Sequence, residues 1–280
     1  MKALVFAAGL GTRLKPLTDN LPKALAPVAG HTLLYHVITR LHDAGVSEFV
    51  VNIHHFADKI ISYVHDTPEL AALDIKFSDE RDLLRDTGGG IRYAEPLLGN
   101  GPFLVHNVDI ISDLDLRWFM QQVRPDAVST LLTSWRQTQR YLLSDDSGRL
   151  VGWTNVATGE VKTPFLGLDP SRCHKTAFAG IHAVSPKVFA TFNDIDRNPA
   201  DFPLYDACGN VLAGSQAILG QCFPVMDYYL RAAAAYPIYM VEPAHLTLID
   251  AGKPATLEQA GKFLSRKSPL SLRNCFEMIE

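Results

Sequence analysis

A short apolar run, Ala3 to Ala8, that ends at a glycine-rich turn constrains this chain more than any other feature. An apolar run of this length predicts a strand buried on both faces, as in a parallel sheet. Glycines in the turn let backbone N–H groups approach phosphate oxygens, and Arg13 adds a permanent cation. The pattern favours an α/β protein with a phosphate site at the end of its first strand, although such a turn also occurs without a ligand.

Two common phosphate-binding motifs are excluded at this turn. The dinucleotide fingerprint requires a third glycine where Leu14 stands, so a dehydrogenase is not expected. The P-loop requires Gly-Lys-Ser/Thr, which does not follow the turn. The phosphate site, if present, is therefore of another type.

Strands and helices alternate through the first 134 residues, which indicates βαβ units and a mainly parallel sheet. The predicted strands after the first are Phe49–Ile53, Ile75–Phe77, Phe103–Val105 and Val128–Ser134. The predicted helices are Leu33–Ala44, Phe56–Val64, Ile91–Gly99 and Leu114–Val123.

The second half is less regular and predicts one domain, residues 1–264, with an elaborated second half, residues 135–264, after a more regular first half, residues 1–134. We expect an insertion near residues 193–222, of which 193–216 read as a long loop, and an extension over 265–280. The predicted elements are a hairpin over Tyr141–Trp153, strands Phe178–Val184 and Ile238–Val241, and helices Pro186–Phe192, Phe223–Ala235 and Thr256–Leu264.

Charge and cysteine content narrow the possible partners and compartment. The chain has 26 Lys and Arg against 30 Asp and Glu, a net charge of −4, which argues against bulk binding to nucleic acid or an anionic membrane. No apolar run is long enough to span a bilayer, and the N-terminus lacks the features of a signal peptide. The four cysteines are far apart, which favours reduced thiols and a cytoplasmic protein.

The turn is part of a longer string that continues through Pro16-Leu17-Thr18 and Pro22-Lys23 to Pro27-Val28. This string resembles the signature of sugar-1-phosphate nucleotidyltransferases. The resemblance implies a Rossmann-like three-layer sandwich of the nucleotide-diphospho-sugar transferase type, with a mainly parallel mixed sheet. It implies a nucleotide-side half, residues 1–134, and a sugar-side half, residues 135–264. It also implies that Arg13 and Lys23 act on the nucleotide phosphates, with further nucleotide contacts from Ala8, Gly9, Gly11 and Thr12.

A second glycine-rich segment, Thr87-Gly88-Gly89-Gly90, resembles the loop that closes on the base and ribose in this family. The resemblance implies nucleotide contacts from Thr87 and Gly88, with the backbone lying flat against the base. The alternative is a helix N-cap at Thr87 followed by flexible glycines.

Two aspartates are the expected metal ligands. Asn107-Val108-Asp109 resembles the family's Asn-Gly-Asp element, and the segment around Asp250 resembles its Trp-x-Asp-x-Gly element, with Leu248 in place of tryptophan. The resemblance implies that Asp109 and Asp250 hold Mg²⁺, a hard cation that prefers carboxylate and phosphate oxygens. The alternative for Asp109 is a carboxylate that caps a turn.

The sugar side is expected to involve Asn107 and Gly180, because Phe178-Ala179-Gly180-Ile181 resembles a family strand that approaches the sugar. The resemblance does not extend clearly to Lys162, to which no role is assigned.

The resemblance implies transfer of a nucleoside monophosphate from a triphosphate to a sugar 1-phosphate, with UTP and N-acetylmuramate 1-phosphate as the nearest likeness. The alternatives are GTP with mannose 1-phosphate, a phosphocholine-type cytidylyltransferase, and a catalytically silent regulatory subunit. The choline alternative would use aromatic residues of the variable half, and the silent alternative rests on Val108, Leu248 and Ala251. The oligomeric state stays open.

Overall fold

The computed structural model describes residues 1–267, which are built around a mixed sheet of ten strands. The strands are β1 (Lys2–Phe6), β2 (Pro27–Val28), β3 (His31–Thr32), β4 (Glu48–Ile53), β5 (Asp74–Asp79), β6 (Phe103–Asn107), β7 (Ile110–Ser112), β8 (Ser129–Ser134), β9 (Arg140–Ser144), β10 (Leu150–Asn155), β11 (Glu160–Lys162), β12 (His174–Val184), β13 (Ile238–Val241) and β14 (Leu248–Asp250). The helices are α1 (Leu33–Asp43), α2 (Ala57–Asp66), α3 (Pro68–Ala71), α4 (Asp86–Tyr93), α5 (Glu95–Leu98), α6 (Leu116–Gln121), α7 (Lys187–Arg197), α8 (Val225–Ala232) and α9 (Pro254–Lys267).

The large sheet joins a parallel part to an antiparallel part. Its main order is β11-β10-β9-β12-β6-β1-β4-β5, and β8 lies beside β12 with β13 beyond it. β6, β1, β4 and β5 are parallel, whereas β12 runs antiparallel to β6, β8 and β9. The pairs β2–β3 and β7–β14 form two small antiparallel ladders outside the large sheet. The predicted α/β fold with a mixed sheet is confirmed.

Burial along β1 explains why helices cover both faces of the sheet. Ala3 and Val5 face one apolar core, and Leu4 faces another on the opposite side. α1 packs into the first core and α8 into the second, where Tyr228 and Tyr229 are fully buried. An unbroken apolar strand therefore specifies the three layers.

Most predicted elements are present, with differences at their ends. β13 has the predicted bounds, and the predicted hairpin is β9–β10. The helix expected from Ile91 begins earlier, at Asp86, and residues 193–197 complete α7 instead of starting a loop. Five strands of two or three residues were not predicted, because such short runs carry no periodic signal.

The described part of the chain ends with α9, its last helix. Residues 265–267 of the predicted extension complete α9, and the rest of that extension lies outside the described residues. None of the helices within residues 1–267 combines the length and the apolar character that a bilayer crossing requires.

Candidate active site

A cavity of about 540 Å³ opens at the carboxyl ends of β1, β4 and β6. β1 and β6 are in parallel register with Phe6 opposite Asn107, so the turn after β1 and the segment after β6 reach the same edge of the sheet. The cavity wall includes Ala8, Gly9, Lys23, Asn107 and Asp109. Ligands of open α/β sheets bind at this position.

The turn after β1 takes its shape from Gly11, whose φ of +66° lies in the left-handed region. The Gly11 carbonyl accepts hydrogen bonds from Thr18 Oγ1 at 2.7 Å and from the Leu14 amide at 2.9 Å. A Cβ at this position would lie 2.9 Å from Thr18 Cγ2 and 3.0 Å from Lys23 Cβ. A glycine is therefore required to pack the turn directly against the segment that carries Lys23.

Lys23 and Asp109 form an ion pair in the cavity wall. Their side chains are only 13% and 12% exposed. The pairing brings together the basic residue of the long N-terminal string and the carboxylate that follows β6. Charges so shielded from water interact more strongly than surface charges.

The second carboxylate reaches this point through the β7–β14 ladder. Asp250 pairs with Ile110 in the ladder, and the Ala251 amide donates to the Asp109 carbonyl at 2.8 Å. The Gly252 amide donates to Asp250 Oδ1 at 2.9 Å. Hydrogen bonds of the backbone therefore hold the two aspartates beside each other.

Gly252 marks the point where the charged side chains converge. A Cβ built there would lie 2.7 Å from Asp250 Oδ1, 2.9 Å from Arg13 Nη2 and 3.2 Å from Lys23 Nζ. The structure thus brings together Arg13, Lys23, Asp109 and Asp250, although the Arg13 side chain extends to the surface and does not line the cavity.

The two residues predicted to contact the sugar are also neighbours. Gly180 has a φ of +73°, and a Cβ there would lie 2.9 Å from Asn107 Nδ2. The β12–β8 register shifts between Phe178 and His182, so the strand is irregular at this glycine. The irregularity leaves room for the Asn107 side chain at the end of β6.

The second glycine-rich segment does not form the loop that was predicted. Gly88, Gly89 and Gly90 lie in the first turns of α4 and are buried. A Cβ would lie 2.3 Å from the Phe223 ring at Gly88 and 2.1 Å from the Gln221 carbonyl at Gly89. The glycines are needed for close packing of a helix, so the predicted loop conformation is wrong, whereas the predicted nucleotide contact of Gly88 stays a prediction.

Thr87 has a different role from the N-cap that was considered as the alternative. It is the second residue of α4, and its Oγ1 accepts a hydrogen bond from the Val225 amide at 2.9 Å. Thr87 lines the cavity, whereas Gly88 does not. Asp86, which precedes Thr87 and also lines the cavity, has a φ of +58°, a conformation that is uncommon outside glycine.

Two polar residues of the site, Asn52 and Glu80, were not predicted from the sequence. Asn52 Oδ1 accepts from the Ala7 amide at 2.7 Å and the Ala8 amide at 3.1 Å, while its Nδ2 donates to Glu80 Oε1 at 3.0 Å. Glu80 Oε2 accepts from the Arg85 amide at 3.1 Å. This chain of hydrogen bonds connects the turn after β1 to the start of α4.

Burial raises the pKa of the Glu80 carboxyl above its ordinary value, and its hydrogen bonds to Asn52 and Arg85 oppose the shift. A signal for both residues existed in the sequence. Asn52 lies in a predicted strand and Glu80 follows another, where polar residues reach the ligand edge of a parallel sheet.

The residues present fit a hard divalent cation. Asp109 and Asp250 supply carboxylate oxygens beside a cradle at Gly252, and Mg²⁺ is commonly held by one or two carboxylates together with substrate phosphates and water. Within residues 1–267, no group of three or more His, Cys, Asp or Glu side chains is arranged to hold a metal without such help. A metal at this point would therefore depend on a phosphate ligand.

The known proteins that this chain resembles in sequence are nucleotidyltransferases. Residues 2–141 match the family described as nucleotidyl transferase. An N-acetylmuramate alpha-1-phosphate uridylyltransferase of Caulobacter vibrioides is 37% identical over 194 residues, which are 67% of this chain and 76% of the relative. A mannose-1-phosphate guanyltransferase of Aspergillus oryzae is 37% identical over 115 residues, 40% of this chain and 31% of that protein.

The fold has relatives among solved structures. A UDP-glucose pyrophosphorylase complexed with UDP-glucose superimposes with a TM-score of 0.68 at 15% identity, covering 95% of this chain and 99% of that one. At this identity the likeness concerns the fold alone.

Proposed function

This chain belongs to the nucleotidyl transferase family, and we propose that it transfers a uridylyl group from UTP to N-acetylmuramate 1-phosphate. A phosphate oxygen of the sugar 1-phosphate attacks the α-phosphorus of the triphosphate, and pyrophosphate leaves. The observation that carries the proposal is the convergence of two cations and two carboxylates at one end of a cavity that also contains Asn107.

The residues act by position and charge, since this displacement needs no protein nucleophile. Lys23 and Arg13 bind the β- and γ-phosphates and neutralise charge that develops on the departing pyrophosphate. The Gly11 and Thr12 backbone contacts the phosphates, while Asn107 and Gly180 lie on the sugar side. Asp109 and Asp250 would hold Mg²⁺, which when bound polarises the α-phosphate and neutralises its charge.

The choice of UTP and N-acetylmuramate follows the Caulobacter relative, and GTP with mannose 1-phosphate follows the Aspergillus relative as second candidate. The longer alignment and its larger share of the relative favour the first. We also propose that the protein acts in the cytoplasm on small substrates and not on nucleic acid or membranes, in keeping with its net charge of −4.

The arrangement of the aromatic side chains disfavours a choline-type substrate. A quaternary ammonium needs open aromatic faces. The Lys162 ammonium instead lies 5.3 Å from the centroid of the Trp153 ring. Trp153 also lines a small cavity together with Arg136 and Arg140. The ring of Trp153 is thus already accompanied by cations. Trp135 is 79% exposed, so little of the protein surrounds its ring.

The three departures from the family pattern do not disturb the site. Val108 and Ala251 are buried in the core, and Leu248 pairs with Ser112 in the β7–β14 ladder. Each of these residues supports the backbone that holds Asp109 and Asp250 together. The structure therefore favours an active enzyme over a silent regulatory subunit.

The experiment is pyrophosphate release with Mg²⁺, crossing UTP, GTP, CTP, ATP and dTTP against several acceptors. The acceptors are the 1-phosphates of N-acetylmuramate, mannose, glucose and N-acetylglucosamine, together with phosphocholine. We expect release with UTP and N-acetylmuramate 1-phosphate at the highest kcat/KM. Release confined to another pair would overturn the substrate proposal, and nucleotide binding without release from any pair would overturn the transferase proposal.

A further inference from the structure

A second cavity, of about 300 Å³, lies beside β9, β10 and β12 in the sugar-side half. Its wall combines the rings of Tyr141, Trp153 and Phe178 with the guanidinium groups of Arg136 and Arg140. Among residues 1–267, no acidic side chain lines it. We call it the arginine cavity.

Arg136 is held in place at the edge of this cavity. Its Nη2 donates to the Phe178 carbonyl at 2.9 Å, and the Tyr141 hydroxyl, which accepts from the Thr138 amide at 3.1 Å, braces the same loop. A guanidinium has five N–H donors, and the bond to Phe178 uses one of them. The remaining donors are preorganised for a planar acceptor such as a carboxylate.

The guanidinium of Arg140 is unpaired. Within residues 1–267 it makes no hydrogen bond or ion pair, whereas the Arg140 backbone pairs with Asn155 in the β9–β10 ladder and donates to Thr138 Oγ1. Lys162, above the neighbouring Trp153 ring, is by contrast paired with Glu160 at 3.4 Å. The arginine cavity thus holds two cations without a neutralising carboxylate among the described residues of its wall, which gives it a positive potential.

Two short connections link the arginine cavity to the active-site cavity. On one wall, Phe178 lies two residues before Gly180, which contacts Asn107; two residues of strand span about 7 Å. On the other wall, Met226 follows Val225, whose amide is bonded to Thr87. Asn107 and Thr87 both line the active-site cavity. A sugar at Asn107 and Gly180 would therefore have the arginine cavity on its far side from the phosphates.

We infer that the arginine cavity binds a carboxylate carried by the sugar of the acceptor, an inference that rests on the proposed transfer to a sugar 1-phosphate. The aromatic rings pack against the apolar face of the sugar ring, and the guanidinium groups of Arg136 and Arg140 bind the carboxylate through charge-assisted hydrogen bonds. The substrate class is thus an acidic sugar 1-phosphate. Neutral hexose 1-phosphates lack the group that this cavity recognises.

The test compares N-acetylmuramate 1-phosphate with N-acetylglucosamine 1-phosphate, which lacks the lactyl carboxylate, and with the methyl ester of the former, in which that carboxylate is neutral. The variants are Arg140→Gln and Arg136→Gln. Arg197→Gln is the control, because Arg197 is an exposed arginine at the end of α7 in the same half of the chain.

In the wild type we expect lower KM for the acid than for its ester or for N-acetylglucosamine 1-phosphate. Arg140→Gln should raise KM for the acid about 10- to 100-fold, as expected for the loss of a hydrogen bond to a charged group. The same variant should leave kcat, KM for UTP and KM for both neutral acceptors unchanged. Arg197→Gln should change none of these values. Equal wild-type KM values for acid and ester, or equal losses by Arg140→Gln on acid and neutral acceptors, would overturn the inference.

Direct binding separates this inference from the proposed reaction. Calorimetric titration of the wild type and Arg140→Gln with the acid and its ester measures the carboxylate preference without turnover. A wild-type preference that Arg140→Gln abolishes, in a protein that releases no pyrophosphate, would support the cavity and refute the reaction. Release of pyrophosphate without any binding preference would refute the cavity and support the reaction.

Discussion

Two glycine-rich segments flank the active-site cavity, and they work in opposite ways. At Gly11 a left-handed backbone folds the turn over Lys23, so the glycine shapes the wall that carries this cation. At Gly88 and Gly89 the backbone is helical, and the missing side chains let α4 pack against residues 221–223. The first segment positions charge, whereas the second joins the nucleotide-side half to the sugar-side half.

The difference shows that glycine content alone does not identify a ligand-binding loop. A left-handed φ and a neighbouring cation mark the segment whose glycine serves chemistry. A right-handed helical φ with backbone atoms of another segment close by marks the one whose glycines serve packing. Changes at the two segments should therefore affect different measurements.

The largest effect is expected on the charged side of the comparison. Asp109→Asn leaves Lys23 without its ionic partner and removes a proposed metal ligand, and kcat should fall about 10²-fold or more. The measurement is pyrophosphate release at saturating substrates with Mg²⁺. Asp146→Asn is the control, since the Asp146 carboxylate is fully exposed in the β9–β10 turn.

The same variant separates catalysis from folding. Its urea-unfolding midpoint should change far less than its activity, because water in the cavity still reaches Lys23. If Asp109→Asn retained nearly full activity, Asp109 would not be a metal ligand.

Gly89→Ala tests the packing side. Its Cβ would meet the Gln221 carbonyl at 2.1 Å, so residues 221–223 must move, and we expect a loss of about 1–3 kcal/mol in unfolding free energy. Helix propensity acts in the opposite direction, since alanine is favoured over glycine by about 1 kcal/mol. Gly101→Ala is the control, because no atom lies within 4 Å of its Cβ position. A Gly89→Ala protein more stable than wild type would show that α4 is not closely packed there.

Gly11→Ala should mainly weaken nucleotide binding. A left-handed conformation costs a residue with a Cβ about 1–2 kcal/mol, and here the Cβ also presses on Thr18 and Lys23. We expect KM for UTP to rise roughly tenfold, the equivalent of about 1.4 kcal/mol. Gly30 has a similar positive φ of +85°, but no atom lies within 4 Å of its Cβ position. Gly30→Ala should therefore lose unfolding free energy without a change in KM for UTP. Equal KM values for the two variants would contradict the assignment of Gly11 to the phosphate side.

The smallest effect concerns pH and the buried Glu80 between the two segments. Burial raises the pKa of this carboxyl in the folded state, so the folded protein holds its proton more tightly than the unfolded chain. The contribution of Glu80 to stability is therefore greatest below its unfolded pKa of about 4.3 and decreases as pH rises through the folded pKa. Glu80→Gln does not titrate.

The unfolding free energy of the wild type minus that of Glu80→Gln should thus fall as pH rises from 4 to 8, measured by urea titration. A difference that instead rises with pH would reverse the sign of the burial effect.

The sequence revealed the parts of the site that lie in continuous motifs. Lys23 belongs to the string that follows β1, and Asp109 follows a strand, so both positions could be predicted. The role of Asn52 and Glu80 could not be predicted, because they join the two segments only through hydrogen bonds between separate strands. The packing of Gly89 on Gln221 was equally hidden, since the contact connects distant parts of the chain.

The sugar-side half was the least predictable. Most of its strands pair antiparallel, and no motif marks Arg136 or Arg140 as neighbours of Phe178. Their proximity arises from the pairing of β9 with β12, which sequence patterning does not reveal.

The ladder between β7 and β14 also determines when the two aspartates of a newly made molecule can first meet. Asp250 is synthesised 141 residues after Asp109, since 250 minus 109 is 141, an interval of roughly 10 s at ordinary rates of translation. Until then the emerging chain contains the turn after β1, Lys23 and the first carboxylate but lacks the second. An emerging chain that stops before residue 248 therefore has no partner strand for β7, and Asp109 lies without its neighbouring carboxylate.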